Sequence, residues 1–114
     1  MENIEKMIIA KSINLLCDEC GKTAKNHGWR ETERNIFEVM ALIHSELGEA
    51  TEALRCNKQS DHIPKFLGIE EELADVLIRI FDVCGERGYR LADALMEKMK
   101  FNKTRPYRHG GKIA

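Results

Sequence analysis

Aromatic residues, a charge excess and long apolar runs are all scarce in this chain of 114 residues. Only 6% of the residues are aromatic, and the formal net charge of −1 leaves no basic excess for binding a nucleic-acid backbone. No apolar run approaches the ~20 residues that cross a bilayer. We therefore expect neither a nucleic-acid partner nor a membrane partner, and any phosphate that the protein binds should belong to a small ligand.

The sequence also has little that indicates export or several domains. Its first ten residues include Glu2, Glu5 and Lys6, where an export signal would be basic and then apolar, so a cytoplasmic location is expected. A chain of this length buries roughly two-thirds of its unfolded surface, enough for one core without disulfides. No linker interrupts it. We predict one domain over residues 1–106, followed by a flexible basic tail at 107–114.

Metal-binding patterns of cysteine and histidine are incomplete. Cys17 and Cys20 form a Cys-x-x-Cys pair, but no second pair follows, whereas a structural zinc site needs four ligands. The same spacing suits two small buried residues on one helical face, which is the alternative to zinc or redox chemistry. No Glu-x-x-His pair occurs, and this argues against a carboxylate-bridged di-iron centre.

Apolar residues recur at steps of three and four nearly everywhere, and no segment alternates as a strand would. The sequence therefore predicts an all-α fold, an antiparallel bundle of four main helices. The segment between the second and third helices, residues 58–68, is expected to be irregular. The predicted helices cover about residues 4–26, 32–57, 69–84 and 91–105.

Two acidic pairs occupy equivalent positions on the second and third predicted helices. At about 100° per residue, Glu46 borders the apolar face of its helix and Glu49 lies about 60° farther from that face. Glu72 and Asp75 have the same offset on the next helix. If the two helices pack antiparallel, the four carboxylates converge.

Four converging carboxylates would lose hydration and repel one another, and the usual outcome is protonation or capture of a cation. Oxygen ligands without a thiolate or paired histidines favour Mg²⁺, with Mn²⁺ as an alternative. Acidic pairs at this spacing are also common on solvated helix faces. A solvated acidic rim is therefore the competing interpretation.

The last predicted helix changes from apolar to cationic along the face expected to point inward. Leu91 and Leu95 are followed on that face by Lys98, Asn102 and Arg105. Ammonium, amide and guanidinium groups are donors that suit phosphate oxygens. The alternative is a solvated last turn, where basic residues favour the helix dipole.

Two further side chains are candidates for the same site. Trp29, the only tryptophan, follows a helix-ending glycine, and it either stacks on a base or plugs the end of the bundle. Arg79 lies four residues after Asp75 and is expected to pair with it, a phosphate contact being the alternative.

The acidic quartet and the C-terminal segment resemble the MazG-type nucleotide pyrophosphohydrolases of the all-α NTP pyrophosphatase superfamily. The resemblance covers about residues 29–112. The matching elements are Glu46-x-x-Glu49, then Glu72-x-x-Asp75 after 22 intervening residues, then Lys98, Asn102 and Arg105 within a segment that ends at Lys112.

This resemblance implies that protomers associate as dimers or tetramers and cleave a nucleoside triphosphate, with Mg²⁺, to the monophosphate and pyrophosphate. Metal-activated water would attack the α-phosphorus. Glu46, the carboxylate with the most apolar neighbours, is the hypothesised base for that water. The implied metal ligands are Glu46, Glu49, Glu72 and Asp75, and the implied substrate-binding residues are Lys98, Asn102, Arg105 and, more loosely, Trp29.

Two other functions are compatible with the same residues. A specialised relative, a dUTP or phosphoribosyl-ATP pyrophosphohydrolase, would catalyse the same type of reaction on a different substrate. A non-catalytic helical interaction module would use the acidic rim only as solvated surface. Such a module would show no thermal shift with Mg²⁺ or Mn²⁺.

Overall fold

Four long helices and one short turn make up the chain, and the all-α prediction is confirmed. The computed structural model describes all 114 residues. It has no strand, and its one isolated β-bridge joins Gln59 to Leu67 within the connection between the second and third helices. The elements are α1 (Asn3–Asn26), α2 (Ile36–Arg55), α3 (Gly68–Arg87), α4 (Leu91–Lys103) and the short α5 (Arg108–Gly111).

The ends of the helices follow local capping chemistry. Helix α2 begins at Ile36, four residues later than predicted, because the Asn35 side chain accepts a hydrogen bond from the Phe37 backbone N–H at 2.8 Å. Helix α3 ends at Arg87, three residues beyond the predicted end, because the next residue, Gly88, has a left-handed φ of 69°. Helix α4 ends at Lys103, two residues before the predicted end.

Helix α3 lies at the centre of the packing. It contacts α2 on one side and α1 on the other, and α4 packs on α1. Helices α2 and α3 are antiparallel, because Gly68 at the start of α3 lies beside Ala53, while Glu86 near its end pairs with Arg34 just before α2. The bundle is thus an open array in the spatial order α2, α3, α1, α4.

The core joins α1, α2, α3 and the start of α4. Burial raises the pKa of the Cys17 and Cys84 thiols, which keeps them neutral, and no cysteine belongs to a cluster of potential metal ligands. Their packing agrees with the structural interpretation of Cys17. The core residues are Ile13, Cys17, Val39, Ile43, Val76, Val83, Cys84 and Ala92.

A partly buried ion-pair network fixes the α1–α2 connection against the end of α3. Arg30 Nη2 lies 2.6 Å from Asp82 Oδ1, and Arg34 Nη2 lies 2.9 Å from Asp82 Oδ2 and 2.8 Å from Glu86 Oε1. Arg87 also donates to the Arg34 carbonyl. Because Trp29 immediately precedes Arg30, this network positions the tryptophan backbone.

Much apolar surface is exposed in the single chain. Its accessible surface of 9012 Å² exceeds the roughly 6,400 Å² expected for a compact monomer of this size. None of its helices combines the length and apolar character that a bilayer-spanning segment needs. On α2 and α3 the exposed apolar side chains include Met40, Leu47, Leu54, Leu73 and Leu77, named here the apolar stripe.

Candidate metal centre and its flanking clefts

The antiparallel packing of α2 and α3 brings the acidic pairs together. Glu46, Glu49 and Glu72 each offer one carboxylate oxygen, and these oxygens lie within 4.8 Å of one another. Asp75 is one turn along α3 and shares a second group of the same dimension with Glu71 and Glu72. Glu72 therefore belongs to both groups and is the central residue of the acidic cluster.

Glu71 differs from the other carboxylates because its oxygens already have donors. The Ser60 hydroxyl and the His62 backbone N–H both donate to Oε1, the latter at 3.3 Å. The His62 ring Nδ1 lies 2.8 Å from Oε2. These hydrogen bonds, that of the His62 ring first and that of Ser60 next, lower the pKa of Glu71 to about 2.

Glu72 and Asp75 lie in surroundings that disfavour their ionised forms. Burial has the largest effect on Glu72, followed by hydrogen bonds from its protonated form to Glu49 and Glu46 and by their negative charges. Together these interactions raise the pKa of Glu72 to about 7. Burial and the charge of Glu46 also raise the pKa of Asp75. Glu46 Oε2 and Glu72 Oε2 are buried without any hydrogen-bond partner. A buried oxygen without a hydrogen bond costs free energy. Carboxylate oxygens are also the ligands that hard divalent cations prefer, so this set of residues fits such a cation.

Arg79 compensates part of the negative charge. Its Nε lies 3.0 Å from Glu46 Oε1. The sequence favoured Asp75 as its partner; the structure places Arg79 on Glu46, across the interface between α3 and α2. One oxygen of Glu46 is thus held by a guanidinium, while Oε2 has no donor.

Two clefts open from the acidic cluster. We name the first the loop-side cleft; it has a volume of ≈ 370 Å³ and is lined by Glu49, Glu72, Lys58, Ser60 and His62 among others. The second, the tryptophan-side cleft, has a volume of ≈ 560 Å³ and is lined by Trp29, Leu42, Glu46, Asp75, Ile78 and Arg79 among others. Each cleft therefore contacts one carboxylate of each acidic pair.

The predicted phosphate-binding residues of α4 lie apart from this cluster. Lys98 and Asn102 are exposed, Arg105 is half-buried, and none of them lines either cleft. Lys98 Nζ and the Arg105 guanidinium instead lie 4.6 Å and 5.8 Å from the centre of the Phe101 ring. The less exposed side chains of α4 are Leu91, Ala92, Met96 and Met99.

Three residues of the site were not identified from the sequence: Lys58, His62 and Glu71. The segment 58–68 carries no periodic pattern, so its folding against α3 has no local signal. Glu71 precedes Glu72 directly, and a run of three glutamates from residue 70 was the one available sign of extra acidic groups at this point.

Comparison with known proteins adds no assignment to this geometry. The chain matches no protein-family model, no curated protein and no solved structure. The acidic cluster and the two clefts that flank it are therefore the features that indicate a function.

Proposed function

We propose that this protein is a Mg²⁺-dependent nucleoside triphosphate pyrophosphohydrolase that cleaves (d)NTP to (d)NMP and pyrophosphate. One observation carries the proposal: carboxylate oxygens of Glu46, Glu49 and Glu72 lie within 4.8 Å of one another. Two of these residues also have a buried oxygen without a partner. The sequence resemblance of the acidic quartet to the MazG-type enzymes supports the same function.

The proposed ligands are Glu46, Glu49, Glu72 and Asp75, with Mg²⁺ as the cation and Mn²⁺ as the alternative. When bound, the cation would supply charge neutralisation of the triphosphate and a lower pKa for water. Glu72 must lose its proton before it can serve as a ligand, because burial and its neighbours raise its pKa to about 7.

Glu46 is the proposed proton acceptor. Arg79 holds Oε1, so Oε2 is the oxygen left without a hydrogen bond. A proton from the attacking water would pass to this Oε2 as the new oxygen–phosphorus bond forms at the α-phosphorus. Arg79 would keep the carboxylate in one orientation during this transfer.

The tryptophan-side cleft is the proposed nucleoside site. Trp29 is 66% exposed there, and Leu42 and Ile78 line the same cleft. An exposed indole beside apolar side chains suits stacking on a base, while Glu46 and Asp75 border the cleft on the side of the acidic cluster. This arrangement favours base stacking over the alternative in which Trp29 plugs the bundle.

We also propose that the protein associates with itself, as a dimer or a tetramer. An open array of helices leaves the apolar stripe uncovered, and a second copy would bury it. If Lys98, Asn102 and Arg105 bind phosphate, as the resemblance implies, they reach it from a neighbouring copy. Within one chain they line neither cleft.

A substrate panel with Mg²⁺ tests the proposed function. Canonical and damaged triphosphates, dUTP and phosphoribosyl-ATP should be compared, with pyrophosphate and orthophosphate both quantified. The expected product is pyrophosphate, and the substrate that is hydrolysed fastest separates a general enzyme from a specialised relative. If no substrate is hydrolysed and Mg²⁺ and Mn²⁺ leave the melting temperature unchanged, the non-catalytic module is the better account.

A further inference from the structure

The loop-side cleft carries two basic side chains among five carboxylates, which are those of Glu49, Glu52, Asp61, Glu71 and Glu72. Among its lining residues only Lys58 and His62 are basic, and both come from the connection between α2 and α3. Their side chains are 57% and 84% exposed, so both are accessible to a ligand. Lys58 Nζ lies 3.0 Å from Asp61 Oδ2. Because this ion pair is exposed and therefore weak, a more highly charged anion can replace Asp61 as the partner of Lys58.

The backbone that carries these two cations is fixed. Gly68 N–H donates to the Lys58 carbonyl at 2.8 Å, and Ser60 N–H donates to the Phe66 carbonyl at 3.1 Å. Ser60 is 5% exposed, and its hydroxyl donates to Glu71. Because the backbone of this loop is already ordered, binding of a ligand to its side chains carries little entropic cost for ordering the backbone.

His62 is oriented by the same carboxylate. Glu71 Oε2 lies 2.8 Å from the ring Nδ1 and Glu71 Oε1 accepts from the His62 backbone at 3.3 Å. With Nδ1–H donating to Glu71, Nε2 of the exposed ring donates to a ligand when the imidazole is protonated, and the hydrogen bond to Glu71 raises the pKa of His62 in favour of that form. Glu71 is therefore a positioning residue for His62.

We propose that the loop-side cleft is the subsite for the pyrophosphate leaving group, bound by Lys58 and His62. This inference rests on the proposed function and gives the substrate a direction through the site. The nucleoside occupies the tryptophan-side cleft, the α-phosphate meets the acidic cluster, and the β- and γ-phosphates extend towards the loop.

The proposed direction is consistent with the balance of the reaction. An oxygen of water forms a bond to the α-phosphorus, and its proton passes to Glu46 Oε2. The bond from the α-phosphorus to the bridging oxygen breaks, and that oxygen leaves with the β-phosphate as pyrophosphate. Negative charge therefore accumulates on the group that Lys58 and His62 contact.

Binding of inorganic pyrophosphate tests the subsite without turnover. Isothermal titration of the full-length protein with pyrophosphate in the presence of Mg²⁺ should give a dissociation constant that rises about tenfold or more in Lys58→Ala and in His62→Gln. Lys65→Ala is the matched control, because Lys65 is an exposed residue of the same connection that does not line the cleft. Its dissociation constant should stay within about twofold of the wild type.

The same titration distinguishes failure of this inference from failure of the proposed function. Triphosphate hydrolysis with unchanged pyrophosphate affinity in both Lys58→Ala and His62→Gln would overturn the subsite alone. An equal loss in Lys65→Ala would also overturn it, since that result indicates general charge attraction. Specific pyrophosphate binding in a protein that hydrolyses no triphosphate would instead overturn the proposed hydrolase. Imidazole NMR signals of His62 that move on pyrophosphate addition would support direct contact.

Discussion

At the residue scale, the acidic cluster concentrates negative charge that the chain only partly compensates. Arg79 is the one basic side chain paired with the quartet, and it contacts Glu46 alone. Glu72 responds by holding its proton to about pH 7, as expected for a buried carboxyl group among like charges. Buried polar groups without partners and groups with shifted pKa values are concentrated at functional sites. They are therefore stronger indicators of a site than the spacing of acidic residues in the sequence.

Replacing Glu46 with Gln should abolish turnover and preserve the fold. The amide is isosteric but does not accept a proton from water, and we expect the rate to fall at least about 100-fold. Initial rates of pyrophosphate release and the melting temperature should be measured together. Glu38→Gln, an exposed change on the same helix, serves as the control. Near-normal activity in Glu46→Gln would refute the assignment of the base.

Stability should fall as the pH rises from about 4.5 to about 7 when divalent cations are removed with EDTA. The folded protein holds the Glu72 proton to a higher pH than the unfolded chain, so the stability linked to that proton is lost as pH rises through about 7. The raised pKa values of Asp75 and His62 act in the same direction. Denaturant titrations at pH 5 and pH 7.5 measure this change.

Two additions check the cause of that pH dependence. Glu72→Gln should reduce the change in unfolding free energy between the two pH values, because it removes one of the three groups that titrate there. Mg²⁺ should stabilise the wild type more at pH 7.5 than at pH 5, since the ligand must be deprotonated. Stability that rises over this interval in EDTA would contradict the assignment.

At the element scale, the site is produced by the register between α2 and α3. The close approach of the start of α3 to the preceding loop depends on Gly68. A Cβ at this position would lie 2.7 Å from the Lys58 carbonyl oxygen and 3.1 Å from the Ala53 Cβ. Glycine is thus required for the packing that sets the carboxylates opposite each other and forms the loop-side cleft.

Gly68→Ala should therefore destabilise the protein by about 1–3 kcal/mol, because the backbone of the loop must move to relieve the clash. Gly48→Ala is the matched control. Gly48 lies within α2, and a Cβ there would meet nothing within 4 Å, so this change should stabilise the helix by about 0.5–1 kcal/mol. Denaturant unfolding of both variants measures the difference, and equal effects would contradict the role given to Gly68.

The helices could be predicted from the sequence because their apolar residues are strongly periodic. The contacts that the 58–68 segment makes with α3 could not, because they depend on the tertiary structure. The offset of the acidic residues from the apolar faces was enough to predict that Glu46, Glu49 and Glu72 converge, because helical geometry is regular. The fourth predicted member, Asp75, instead shares a group with Glu71 and Glu72. The partners of Glu71 come from a loop without periodicity, so no local pattern indicated them. On α4, Leu95 and Lys98 suggested an inward face, but Ala92 and the methionines are the less exposed residues. Leu91 and Leu95 form one apolar row on α4, and Ala92, Met96 and Met99 form another beside it, so the sequence pattern did not show which row is buried.

At the scale of the whole molecule, the single chain is unusually open. Its radius of gyration is 16.7 Å, compared with about 13 Å for a compact domain of this length. Its accessible surface exceeds the expected value by about 2,600 Å². That excess is larger than the roughly 800 Å² that each partner contributes to a standard interface. The association between copies that we propose would bury part of this excess.

Sedimentation equilibrium should therefore detect a dimer or a tetramer at micromolar concentration. Leu47→Lys places a charge within the apolar stripe and should shift the protein towards the monomer, because a buried unpaired charge weakens an interface by several kcal/mol. Leu15→Lys, on the exposed face of α1, tests whether the association uses the apolar stripe of α2 and α3 specifically. A wild-type monomer at all concentrations would contradict the proposed association.

Hydrolysis in ¹⁸O-labelled water shows which phosphorus atom the water attacks. The protein should be incubated with Mg²⁺ and a hydrolysed triphosphate, and both products should be examined by ³¹P NMR and mass spectrometry. Attack of water at the α-phosphorus, beside the four carboxylates, predicts one ¹⁸O atom in the monophosphate and none in the pyrophosphate. Label in pyrophosphate or in orthophosphate, or hydrolysis that persists in EDTA, would contradict the account.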